Sequence, residues 1–311
     1  MPKVILVTGS EGLIGTALRR RLHIEGIRTR RFDLQQQGCD VLHRERLVEA
    51  ARGCAGIVHL AAVSRVVWGE RDPERCWRTN VEGTQNVLFA AKQSTLRPWV
   101  IFASSREVYG TADRLPAHED MPIRPCNVYG RSKAAAEQLC MAARVDGLRT
   151  AILRLSNVYG RTQDHQDRVV PCFARQAALG EVMHIEGSDN VFDFTHVDDT
   201  IAGIVALIQR LFADAPSPPP IHLLTGRPTS LRQLAEHACR AGGGRSTFLE
   251  APSRAFDVAR FYGDPRRAYE ILRWRPRIQI EEGVARLVRE FSALLHPRRD
   301  SEAPLQQEGA P

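Results

Sequence analysis

Tyr129 and Lys133 stand four residues apart in the run VYGRSKAAAE, a spacing that places both side chains on one face of a helix, one turn apart. The lysine is conspicuous in this chain. Of 43 Lys and Arg residues only Lys3, Lys92 and Lys133 are lysines. A tyrosine can accept a proton at neutral pH only if its pKa, about 10 in water, falls by roughly three units. A cation about 4 Å away supplies roughly 4 kcal/mol at an effective dielectric of about 20, which is the right order; desolvation opposes it. The expectation is that Lys133 acidifies Tyr129. Ser105, at the end of the strand-like WVIFASS, could polarise the same substrate oxygen or relay its proton. Glu107, two residues on, shares a side with it in an extended segment and reads equally well as a catalytic carboxylate or a solvated charge.

These groups need a partner and a platform. VTGSEGLIG places Gly9, Gly12 and Gly15 between a first apolar run and a first helical pattern, and a glycine turn at that point lets backbone N–H groups and a helix N-terminus approach a pyrophosphate. The spacing is GxxGxxG. Asp33 follows the second strand-like run about 20 residues later, where a carboxylate bonds the ribose hydroxyls of NAD and repels a 2′-phosphate. The adjacent Arg30 and Arg31 could instead welcome NADP, and NAD is the preferred reading. A compact ammonium at Lys133 can bond the nicotinamide ribose hydroxyls from beneath, where a planar guanidinium has a different shape.

Apolar runs alternate with helical patterns through KVILVTG, RTRRFDL, GIVHLAA, WVIFASS and RTAILRLSNVYG, which predicts an α/β fold with a parallel sheet covered on both faces. Helices are expected near 80–93, 127–143 and 199–212. FDFTHV and IHLLTG are expected to return to the same sheet, and the pattern loosens after about Leu155. The division expected is a Rossmann-type NAD-binding domain over 1–155 and 194–224, a smaller, mostly helical substrate-binding lobe over 156–193 and 225–297, and a disordered tail over 298–311.

Composition narrows the function classes. With 43% hydrophobic and 25% charged residues the chain is globular, and no stretch approaches the roughly 20 apolar residues of a membrane span. MPKVILVTGS runs into a strand without the features of a signal peptide, so a cytoplasmic location is expected. The cysteines at 39, 54, 76, 126, 140, 172 and 239 show neither a disulfide framework nor a metal spacing. The net charge of +7 comes from dispersed arginines without a nucleic-acid module.

Together, TGSEGLIG, HLAA at 59–62, NVEGTQNVL at 80–88, SSREVYG at 104–110, YGRSK at 129–133, LRLSNVYG at 153–160, DFTHVDD at 193–199 and LRWRP at 272–276 resemble the extended short-chain dehydrogenase/reductases of the nucleotide-sugar epimerase/dehydratase family, of which UDP-galactose 4-epimerase is the best-known member. The resemblance spans about residues 3–290. It implies that Ser105, Tyr129 and Lys133 are the catalytic trio, that Gly9, Gly12, Leu13, Ile14, Asp33, Asp40, Val41, Leu60, Ala61, Ala62 and Asn80 line the NAD site with Tyr129 and Lys133, and that Asn157 and Arg254 hold substrate phosphates beside Ser105. It further implies a nucleotide-diphosphate-sugar substrate and a homodimer built on the helices near 80–93 and 127–143.

Two departures stand out. Phe192 occupies a position usually held by arginine, and Arg106 precedes Glu107 where dehydratase-like relatives often carry Asp or Ser. The leading expectation is an epimerase that oxidises C4 of the sugar transiently and returns the hydride to the other face. A 4,6-dehydratase with Glu107 as base, an NAD(P)H-dependent keto-sugar reductase and a non-catalytic NAD-binding regulator are the alternatives.

Overall fold

A computed structural model describes residues 3–254 and 258–295. The tail expected over 298–311 lies outside the described residues. Six strands form one parallel sheet: β1 (Val4–Thr8), β2 (Arg28–Phe32), β3 (Gly56–His59), β4 (Trp99–Ser105), β5 (Thr150–Leu155) and β9 (Ile221–Leu223), in the order β2-β1-β3-β4-β5-β9. The chain winds outward from β1 in both directions, so the crevice between the carboxyl ends of β1 and β3 is the switch point where open α/β sheets bind ligands.

The inner strands are apolar on both faces because helices cover both, whereas the edge strand β2 reads RTRRF and buries only Phe32. Ile5, Val7, Val58, Ile101 and Leu153 pack against α1 (Leu13–Ile24) and α8 (Val197–Phe212). Leu6, Ile57, Val100, Phe102 and Ile152 pack against α2 (Arg44–Ala51), α5 (Gly83–Gln93) and α6 (Val128–Val145). Between them run α3 (Val66–Arg71), α4 (Pro73–Trp77) and a π-helical turn, Arg78–Glu82, that leads into α5.

A third apolar cluster gathers α7 (Val169–Leu179), α9 (Leu231–Ala241) and α11 (Ile280–Leu295). Beside it lie two small sheets, β6 (Asn157–Tyr159), β8 (Val191–His196) and β10 (Pro228–Ser230) in one, β7 (Met183–Glu186) and β11 (Phe248–Ala251) in the other. α10 (Arg266–Leu272) packs near β9 and α8.

The sequence expectation for FDFTHV fails here. This segment is β8, and it pairs with β6 and β10 rather than joining the main sheet. The place beside β5 is taken by β9, and the chain leaving β5 forms the short strand β6 that β8 needs. Asp193, buried in β8, fixes this arrangement by accepting the Thr225 N–H (2.8 Å), the Thr225 hydroxyl (2.7 Å) and the Gly226 N–H (2.7 Å). IHLLTG does return to the main sheet as β9. Among the described residues no helix is long and apolar enough to cross a membrane, and no cluster of His, Cys, Asp and Glu is arranged to hold a metal ion.

One buried ion pair ties α6 to the sheet. Arg154 on β5 forms a two-pronged bridge to Glu137 (Nε–Oε1 3.0 Å, Nη2–Oε2 2.7 Å), and Ser104 on β4 donates to the same carboxylate at 2.5 Å. Because removing one partner strands a buried charge, Arg154→Leu is expected to lower unfolding free energy in a urea titration by about 3–5 kcal/mol. The pair Arg154→Leu/Glu137→Leu should recover part of that loss. A stable Arg154→Leu single variant would contradict the anchor.

Candidate active site

The first βα turn is shaped for close approach. Gly9 has φ +66°, and a Cβ there would fall 2.7 Å from the Ala61 nitrogen; at Gly15 a Cβ would fall 2.1 Å from the Gly9 carbonyl oxygen. Gly12 caps α1 with no side-chain hydrogen bond, and a Cβ there would meet only Gly9 O at 3.5 Å, so the uncapped N–H groups at Leu13 and Ile14 can meet an anion. The Asp33 carboxylate closes the turn, accepting N–H bonds from Glu11 (2.9 Å) and Gln35 (3.1 Å).

Both nearby arginines are already bonded within the protein. Arg31 pairs with Glu11 at 2.8 Å, and Arg30 donates to the carbonyls of Ala50 and Arg52. Asp40 accepts from Leu42 N–H at 2.9 Å and sets the turn carrying the buried Val41. Leu60, Ala61 and Ala62 continue from β3 across the switch point, where Ala61 N–H bonds Thr8 Oγ1 at 3.3 Å. The open glycine turn, the uncapped helix N-terminus and the Asp33 carboxylate beside them fit a dinucleotide.

Asn80 spends its amide on the protein. Its Oδ1 accepts from Val63 N–H (2.8 Å) and its Nδ2 donates to Val63 O (3.1 Å) and Ser132 Oγ (2.8 Å). It therefore ties the loop after β3 to α6 next to Lys133. The chain of bonds continues through Thr84, which donates to Asn80 O (2.6 Å) and meets His59 Nε2 (3.1 Å), and His59 Nδ1 meets Thr8 Oγ1 at 2.7 Å. Burial, with the Lys133 charge second, pushes His59 down to about 3, so it stays neutral. Sequence reasoning missed His59, Thr84 and Ser132 as positioning groups, although the motifs HLAA, NVEGTQNVL and YGRSK contain all three.

The structure brings Ser105, Tyr129 and Lys133 together. Asn127 caps α6, accepting Gly130 N–H at 2.7 Å, and Gly130 lets the first turn ride on Glu107, where a Cβ would lie 2.5 Å from the carbonyl oxygen. Tyr129 is buried, and the Ser105 hydroxyl beside its phenol favours the ionised form. Lys133 is buried as well; its Nζ donates to Ala103 O at 2.9 Å and lies 5.9 Å from the Tyr129 ring centroid.

The expected acidification does not follow in the protein alone. Burial pushes Tyr129 up to about 12, against a lowering by the Ser105 hydroxyl, and burial pushes Lys133 down to about 8. Lysine thus loses its proton first, and an uncharged amine cannot lower a phenol that titrates above it. Arg168, which sequence reasoning did not single out, also lowers Tyr129 and reaches Ser64 Oγ at 3.1 Å.

Glu107 is buried rather than solvated. Its Oε1 pairs with Arg106 Nη2 and its Oε2 accepts from Asn127 Nδ2, both at 2.8 Å. The Arg106 guanidinium lies 4.8 Å from the Phe192 ring centroid and 5.5 Å from that of Phe261. Asn157 and Arg254 bond away from this cluster: Asn157 Nδ2 donates to Asp193 O at 3.4 Å, and Arg254 Nε lies 3.5 Å from Glu186 Oε2.

With the Asp33 and Glu11 carboxylates beside the glycine turn and Arg30 and Arg31 already bonded, the protein is expected to bind NAD at least about tenfold more tightly than NADP in a fluorescence titration. Equal affinities would contradict this reading of the turn.

Comparison with known proteins agrees with the geometry. The sequence profile of the NAD dependent epimerase/dehydratase family matches residues 5–218. A UDP-glucose 4-epimerase of Mycolicibacterium smegmatis is 31% identical over 310 residues, covering 92% of this chain and 97% of that protein. UDP-glucuronic acid decarboxylase 1 of Danio rerio is 26% identical, covering 96% of this chain and 75% of that protein. Among solved structures, a Thermotoga maritima UDP-glucose 4-epimerase with UDP-glucose superposes with a TM-score of 0.86 at 26% identity, covering 94% of this chain and 99% of the other. The glycine turn, the tyrosine–lysine helix and these matches lead to one conclusion: the chain belongs to the NAD-dependent epimerase/dehydratase family.

Proposed function

We propose that the protein is a nucleotide-sugar epimerase acting through transient oxidation at C4, with NAD as its cofactor. The observation that carries this over dehydration is Arg106 beside Glu107. Expelling a sugar hydroxyl needs an acid to protonate the leaving oxygen, and a guanidinium does not give up its proton. Both Glu107 oxygens are also already bonded, to Arg106 and Asn127. The Ser105–Tyr129–Lys133 cluster supplies the oxidation at a hydroxyl carbon with which both reactions begin, and epimerisation needs no further acid or base.

In this mechanism NAD supplies hydride acceptance and return at C4, together with a positive charge beside the site. The O4 proton leaves through the Ser105 hydroxyl to Tyr129 in its ionised form. Lys133 would hold the cofactor's ribose hydroxyls and, when charged, would stabilise the phenolate. The 4-keto sugar turns its other face, and Tyr129 returns the proton to O4 as the C–H bond re-forms. Asn157 and Arg254 are assigned to the diphosphate, and the residues of 156–193 and 225–297 to the substrate-binding lobe. A homodimer through α5 and α6 is part of the same reading.

A panel of nucleotide sugars incubated with the NAD-loaded enzyme and read by mass spectrometry tests this. A new isomer of unchanged mass is expected, and loss of water would overturn it in favour of dehydration. Glu107→Gln should retain at least about a tenth of the epimerase turnover, whereas a dehydratase base would lose 10²-fold or more, roughly the contribution of a general base. Tyr129→Phe should lose at least about 10²-fold in kcat by the same measure.

A further inference from the structure

Arg106 is the buried charge that the mechanism leaves unused. The residue is 8% exposed, and its position immediately after Ser105 at the carboxyl end of β4 puts its backbone beside the reacting groups. Its guanidinium rests between Phe192 on β8 and Phe261, so it spans from the main sheet to the β6-β8-β10 sheet. Nη2 is paired with Glu107, whereas Nη1 is buried with no hydrogen-bond partner. Leaving a charged donor buried and unsatisfied is costly, so this nitrogen calls for a partner. Two aromatic faces fix the plane of the fork and lower the entropy lost when it binds. The chemistry that satisfies such a nitrogen is an anionic oxygen.

We propose that Arg106 is a specificity-determining contact that takes an anionic oxygen of the substrate through Nη1; this rests on the functional reading above. In a nucleotide sugar that oxygen has two sources, the diphosphate or a carboxylate at C6 of a uronic acid. Phe192 then serves as the shelf that aims the charge, which accounts for an aromatic residue at a position where arginine was expected.

Isothermal titration of the NAD-loaded protein with UDP, UDP-glucose and UDP-glucuronic acid, in the wild type and in Arg106→Gln, tests the proposal without relying on turnover. The expected loss is at least about tenfold. A loss with all three ligands assigns the diphosphate, and a loss with UDP-glucuronic acid alone assigns the carboxylate. Arg106→Lys keeps the charge and the stem but not the fork, and carries the same comparison if Arg106→Gln melts early; a drop of a few-fold in the same pattern is expected.

Affinities within about twofold of wild type for every ligand would overturn the proposal, as would an equal loss of NAD affinity, which marks a general structural defect. A wild type that binds none of the three would sink the functional reading and this inference with it, whereas wild-type binding with an indifferent Arg106 sinks only the inference.

Discussion

Burying a phenol and an ammonium on adjacent turns of one helix is the constraint around which this site is organised. At 5.9 Å from the ring centroid, a charged Lys133 offers a phenolate roughly 3 kcal/mol at an effective dielectric of about 20. Desolvation acts on both groups and in opposite directions, lifting Tyr129 and depressing Lys133, so the proton that leaves first belongs to the lysine. The resting pair is therefore two neutral groups once the pH passes about 8. Ionised tyrosine beside charged lysine becomes favourable only when a further positive charge or additional hydrogen bonds enter the site. On this account the cofactor completes an electrostatic arrangement that the protein prepares but does not finish.

The surrounding structure keeps that arrangement narrow. Neutral hydrogen-bonding groups run from Thr8 on β1 through His59 and Thr84 to Asn80 and Ser132, so the position of α6 is referred back to the strand that begins the glycine turn. His59 stays uncharged, which spares Lys133 a competing cation nearby. On the other side Glu137 and Arg154 lock α6 to β4 and β5, one turn beyond Lys133. The glycine turn and the helix that carries Tyr129 and Lys133 are thus registered to each other through buried bonds.

The sequence carried this much because its strongest signals are local. The glycine turn, the apolar strands and the i, i+4 pair on α6 all depend on short-range geometry, and each appears where expected. What failed depended on distant pairing or on burial. FDFTHV looks like a central strand, but its partner β6 is only three residues long and gives no pattern of its own. Glu107 reads equally as a catalytic carboxylate and as a solvated charge until Arg106 and Asn127 are seen on its two oxygens. The balance between the lysine field and desolvation could not be weighed without the burial of both groups.

The most direct measurement is the ionisation of Tyr129 followed by tyrosinate absorbance, taken as the difference between wild type and Tyr129→Phe, with and without NAD⁺. The account predicts that Tyr129 in the cofactor-free protein titrates far above the ordinary tyrosine value, near about 12, and that NAD⁺ brings it down by several units. A phenol already ionised near neutrality without cofactor, or one whose titration NAD⁺ leaves unchanged, would contradict it.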